Sequence, residues 1–149
     1  MITRRSALLA CLALAACGDD SKTPYLEFIG GGFIFNYRTA DHYYGFVARR
    51  KKPLPEGAVL EASFEVPGGP NQVLRETSSE GKLQYTFQTG DLRGIEKGHP
   101  YKAVLRVLDG TSGAELARYE KTFTTEVDET SLPEGPLVVG PGYQQPAPQ

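Results

Sequence analysis

Two histidines, two cysteines and scattered carboxylates are the side chains from which this chain could assemble a reactive centre. His42 follows Asp41 in an expected turn, and His99 precedes Pro100. A histidine base needs a nucleophile held against it, and no Ser stands in a Gly-x-Ser-x-Gly elbow. Catalysis would therefore require a pocket in which His42 or His99 meets a carboxylate and a hydroxyl. Metal binding fares no better. There is no His-x-His or His-x₃-His spacing, and the neighbours Asp41 and His42 would point to opposite sides of a strand. Glu61 and Glu65 share a strand face with Ser63. A glycosidase pair must flank a cleft, whereas these residues alternate with apolar ones and read as a solvated face. Tyr43, Tyr44 and Phe46 suggest sugar stacking, but alternation puts Tyr43 on one face and Tyr44 with Phe46 on the other, so one set is core. The expectation is no enzyme, no catalytic residue, no metal and no cofactor.

The cysteines lead elsewhere. Arg4 and Arg5 precede an eleven-residue apolar stretch, Ser6–Ala16, and then the chain passes abruptly to Cys17-Gly-Asp-Asp. The stretch is too short to span a bilayer and suits the apolar region of an export signal. Leu14-Ala15-Ala16-Cys17 resembles the lipobox of bacterial lipoproteins. The resemblance covers the first 20 residues. It implies that peptidase recognises Leu14, Ala15 and Ala16, that 1–16 is a cleaved signal peptide, and that Cys17 becomes a lipidated first residue. A covalent lipid on Cys17 would be the only attached group. Several acyl chains anchor stably where one binds marginally, since each buried CH₂ contributes ~0.8 kcal/mol. Thr3-Arg4-Arg5-x-x-Leu8 also resembles a twin-arginine export motif. In lipoproteins of the enteric type, Asp directly after the lipidated Cys favours the inner membrane. Here that position is Gly18, with Asp19 and Asp20 behind it, which leans the expectation towards the periplasmic face of the outer membrane.

Cys11 would leave with the leader, so the mature domain would hold no thiol, no disulfide and no sulfur ligand. Loss of Arg4 and Arg5 leaves 14 basic against 18 acidic residues, a balance that excludes nucleic acid as a partner. The densest charge run is Arg49-Arg50-Lys51-Lys52. It reads as a solvated strand end, blunted against edge pairing, or alternatively as a contact for anionic headgroups.

The elements that must position these residues are strands. Residues 17–24 read as a polar tether and 25–127 as one domain. Tyr25–Ile29 is a strand stopped by Gly30-Gly31-Gly32, and Phe33, Phe35 and Tyr37 share a face of the next. Leu60, Ala62, Phe64 and Val66 alternate with Val59, Glu61, Ser63 and Glu65. Val73–Thr77 is a short strand. Leu83, Tyr85 and Phe87 face inward, Tyr101, Ala103, Leu105 and Val107 alternate, and Ala117, Tyr119 and Phe123 close the set. With Pro/Gly turns between them, these predict an all-β fold, a single antiparallel β-sandwich of about seven to eight strands. A transthyretin-like sandwich or a small barrel remains an alternative.

Leu92-Arg-Gly-Ile95-Glu-Lys-Gly98-His-Pro-Tyr101 resembles the approach to the sixth strand of fibronectin type III domains, and the resemblance covers about residues 82–125. It implies an Ig-like or type III-like sandwich with a tyrosine corner, in which Ile95 and Gly98 shape a turn and the Tyr101 hydroxyl bonds back to it. No Trp fills the core, so Phe33 or Phe35 takes that space. Residues 128–149 hold six Pro and Gly between Pro133 and Gly142, which forbid a helix. Leu137-Val138-Val139 could add an edge strand, and Tyr143 onward reads as an extended tail. The functional expectation is a lipid-anchored envelope protein acting as a non-enzymatic interaction or accessory module, with an envelope protein as partner. A carbohydrate- or peptide-binding lipoprotein is the alternative, and an enzyme comes third.

Overall fold

Period-two alternation becomes seven strands: β1 (Leu26–Asn36), β2 (Asp41–Arg50), β3 (Val59–Phe64), β4 (Gln72–Thr77), β5 (Gln84–Gln88), β6 (Tyr101–Leu108) and β7 (Glu115–Phe123). They form two antiparallel sheets, ordered β1-β2-β5 and β4-β3-β6-β7, in a computed structural model that describes residues 22–127, 129–138, 140 and 142. The fold is therefore a single β-sandwich. In the Ig constant-type arrangement the fourth strand joins the first sheet; here β4 pairs with β3 instead. The expected leader 1–16, with Leu14, Ala15 and Ala16, lies outside the described residues. So do Cys17, the expected tether up to residue 21, Val139 and the residues from Tyr143 on.

The inner faces supply one core. Tyr44, Phe46 and Ala48 of β2 and Tyr85 and Phe87 of β5 oppose Leu60, Ala62 and Phe64 of β3 and Ala103, Leu105 and Val107 of β6, all buried. Aromatic rings meet in favourable edge and offset geometries. Phe46 packs on Phe64 at 5.3 Å and edge-on to Phe28 at 4.8 Å, and Phe33 stacks on Tyr44 at 4.8 Å.

Several sequence expectations are corrected. The glycine run does not stop a strand: β1 passes through it, and Gly31 and Gly32 pair with Phe46 and Gly45. A register shift between Phe28 and Gly30 absorbs Ile29. Gly31 sits at φ +148°, and a Cβ there would lie 2.5 Å from the Gly45 carbonyl oxygen, so close approach of β1 and β2 demands glycine. His42 lies within β2 rather than in a turn. Leu83 precedes β5 and is 60% exposed, not inward. Glu61 is only 3% exposed rather than solvated. Leu137 and Val138 form bends, not an edge strand, although the Val138 N–H reaches the Arg38 carbonyl at 3.3 Å. Packing also continues past residue 127, through a 3-10 turn at Glu129–Ser131 and a buried Leu132.

The antiparallel order sorts the connections to two ends. Tyr25 and the segments 51–58, 78–83 and 109–114 gather at one end, where Lys51 N–H bonds the Tyr25 carbonyl and Arg50 N–H the Leu83 carbonyl, both at 2.8 Å. The turn 37–40, the segments 65–71 and 89–100 and the stretch after β7 gather at the other, where Leu92 N–H bonds the His42 carbonyl at 2.6 Å and Gly98 N–H the Thr125 carbonyl at 2.8 Å.

Candidate functional site

Both histidines sit at the end away from Tyr25. His42 begins the inward face of β2 and is 2% exposed. Its Nδ1 lies 2.8 Å from Arg93 Nη1 and 3.5 Å from Glu129 Oε1. A guanidinium only donates, so Nδ1 accepts and the ring proton belongs on Nε2. That Nε2 is buried with no hydrogen-bond partner among the described residues. The partners are themselves held. Arg93 Nη2 donates to the Ala40 carbonyl at 2.8 Å and pairs with Asp91 at 3.0 Å. Asp91 accepts the His42 N–H at 2.7 Å, and Glu129 accepts the Ile95 N–H at 2.7 Å. Ala40 adopts φ +57°, a left-handed conformation that a residue with a Cβ rarely takes, fixed by the Arg93 contact to its carbonyl. The cluster joins β2, the β5–β6 connection and the 3-10 turn beside a groove of about 420 Å³ lined by His42, Arg93, Glu129, Thr130, Leu132 and Pro133. A carboxylate and a guanidinium meet the ring nitrogen, so the arrangement ties three segments together.

His99 lies in the corner turn. Its Nε2 is 3.5 Å from Glu65, and its ring meets the Tyr101 ring edge-on at 4.5 Å. Glu65 also accepts the Lys102 N–H at 2.9 Å. That N–H first, and the His99 ring after it, hold the Glu65 carboxyl below the usual carboxylate range despite partial desolvation. Tyr101 is buried and its hydroxyl accepts the Glu96 N–H at 2.9 Å. Ile95 lies buried beneath the turn, which Gly98 closes at φ +74°. Ile95, Gly98 and Tyr101 are thus brought together. Next to them, the Tyr44 hydroxyl donates to the Glu65 carbonyl at 2.6 Å. Burial, then the Glu65 charge, push that phenol well above its ordinary range.

The basic run lies at the opposite end. Arg49 and Lys51 both pair with Glu27 at 3.2 Å, and hydrogen bonds from Arg49 and then Lys51, followed by the Lys51 charge, hold the Glu27 carboxyl low. Lys52 Nζ lies 4.3 Å from the centre of the Tyr25 ring, a cation–π contact. The run is therefore wrapped around the point where the chain enters the sandwich.

Two features had no sequence forecast. On the outer face of β1-β2-β5, Gly32 lies opposite Gly45, with Ile34, Tyr43, Val47 and Thr86 around them, and the absent side chains leave a trough of about 290 Å³. A Cβ on Gly30 or Gly32 would meet nothing within 4 Å, so no close approach by a neighbour requires glycine at either position. On the outer face of the other sheet, one rung sets Arg75, Glu61, Arg106 and Arg118 side by side. Glu61 accepts from Arg75 Nε at 2.7 Å and Arg106 Nε at 3.0 Å, with a further contact to Arg106 Nη2. Burial raises its pKa, but hydrogen bonds from Arg106 and Arg75 outweigh that and hold it below the ordinary value.

Among the described residues, no three His, Cys, Asp or Glu side chains come together as a metal site, and no helix is long and apolar enough to cross a membrane. Comparison with protein-family models, with curated proteins and with solved structures finds no match to this chain.

Proposed function

We propose that the chain is a bacterial envelope lipoprotein, anchored through a lipid on Cys17, whose sandwich works as a non-enzymatic interaction or accessory module. The reading puts it at the periplasmic face of the outer membrane, with an envelope protein as partner. The observation that carries it is the division of the domain's ends. Tyr25, eight residues after Cys17, enters beside Arg49–Lys52, while the longest strand-to-strand connection, 89–100, lies at the other end. A module anchored this way holds the 89–100 connection and the stretch after β7 away from the bilayer. The occupied Nδ1 and unreached Nε2 of His42 support binding rather than catalysis.

The glycine-floored trough favours a second reading, a small carbohydrate or peptide ligand laid on the sheet face against Tyr43 and Ile34. In-cell cross-linking of tagged wild-type and Cys17→Ser protein separates the two. The module reading expects a defined envelope partner whose capture falls when Cys17 is lost and the protein leaves the membrane fraction. Cys17→Ser protein still wholly in the membrane pellet would refute the anchor. Capture of nothing by a folded, anchored protein would move the reading to the trough.

A further inference from the structure

We infer that the tether end of the sandwich is a second, direct membrane contact: Leu83 enters the headgroup layer of an anionic bilayer inside a collar formed by Arg50, Lys52 and Lys82. This rests on the anchored reading and adds an orientation to it.

Leu83 is the most exposed of the large hydrophobic side chains among the described residues, at 60%. Alternation with Tyr85 and Phe87 would have turned it inward, yet it lies just outside β5, in the connection from β4, and its carbonyl accepts the Arg50 N–H at 2.8 Å. That bond sets an apolar side chain directly beside the basic run. Lys82 precedes it, with Nζ 5.1 Å from the Tyr85 ring centre and paired to Glu76. Glu27 lies between Arg49 and Lys51, Glu76 lies against Lys82, and Asp109 accepts the Thr111 and Ser112 N–H groups of its own turn. Glu56 and Glu80 line the neighbouring groove with Arg50, so the attraction to anionic lipid is short-ranged and sensitive to salt. An apolar tip within a basic collar is what an anionic interface receives, because the leucine leaves water while the cations stay among the phosphates. The tether permits it. The eight residues from Cys17 to Tyr25 span at most about 29 Å when extended and about 16 Å as a flexible coil.

The test uses full-length protein lipidated at Cys17 and reconstituted into phosphatidylethanolamine vesicles containing phosphatidylglycerol. An environment-sensitive thiol dye is placed at Leu83→Cys, or at Lys97→Cys on the far end as reference. The inference expects a blue-shifted emission at 83, quenched by lipid-borne quenchers, and water-like emission at 97. It also expects most of the shift at 83 to be lost in high salt, in vesicles without phosphatidylglycerol, or when Arg50→Gln and Lys52→Gln are added with the melting temperature unchanged. Water-like emission at both positions in vesicle-bound protein overturns the inference and leaves the anchor standing. Protein that does not float with the vesicles overturns the anchored reading itself, and this contact with it.

Discussion

Glu61 gives the sharpest test of the packing. Its carboxylate is 3% exposed, held from one side by Arg106, whose side chain is 33% exposed, and from the other by Arg75, at 67%. Removing Arg106 as Arg106→Met keeps an apolar stem over β3 but strips the inner donor from a buried charge. Breaking a buried pair costs about 3–5 kcal/mol, and an unsatisfied buried acceptor about 1–3 kcal/mol. Arg75 still serves the other oxygen, so the expected loss is about 2–3 kcal/mol. Arg75→Met removes a donor that is mostly in water, and the expected loss is below ~1 kcal/mol. Since 1 kcal/mol moves the midpoint of a domain this size by roughly 4–8 °C, Arg106→Met should melt ~8–24 °C lower at neutral pH and Arg75→Met only a few degrees lower. Thermal and urea unfolding followed by circular dichroism read both. The pH dependence supplies a second reading. The folded pKa of Glu61 lies below its unfolded value, so its stabilisation is present above about pH 4.3 and is lost as pH falls through the folded pKa. The gap between wild type and Glu61→Gln should therefore narrow below about pH 4. Equal losses for the two arginine variants, or a gap that widens in acid, would refute the assignment.

Two glycines in one strand should behave oppositely. Gly31→Ala forces a Cβ against the Gly45 carbonyl at a left-handed φ and should cost about 2–4 kcal/mol, whereas Gly30→Ala meets open space and should gain up to ~1 kcal/mol; urea titrations that rank them together would contradict the geometry. The Tyr85 hydroxyl is buried with no partner among the described residues, so Tyr85→Phe should raise stability by ~1 kcal/mol, and a lowered midpoint would show that the hydroxyl is satisfied.

Strands whose two faces differ in polarity were legible. β6 alternates core residues with Lys102, Val104 and Arg106, and its inward set matched the buried one residue for residue. The corner turn is local in sequence: Ile95, Gly98 and Tyr101 lie within seven consecutive residues. β1 was misread because glycine ordinarily weakens a strand, and only its partner shows that Gly31 is there for lack of room. Glu61 was misread because its polarity matched a solvated face. Burial comes from the guanidiniums of β4 and β6, 14 and 45 residues away. The His42 cluster was invisible: Arg93 and Glu129 arrive from separate segments with no spacing to betray them. Leu83 fits the period-two pattern although it precedes β5, and pattern alone does not mark where the core begins to cover a strand.

The strand order has a kinetic consequence. No two sheet neighbours in β2–β5 or β3–β6 are consecutive in the chain, and Val59 must find Leu108 before that ladder closes. Each such pairing loses loop-closure entropy before its contacts return anything, which puts folding in the millisecond-to-second range of β-sandwiches rather than the microseconds of helical bundles. Glu61 and Arg106 are among the groups that wait. Until β6 docks, the carboxylate stays in water with Arg75 of β4 the only arginine of the pair within its local hairpin, so the buried ion cluster is complete only once the long-range ladder has closed.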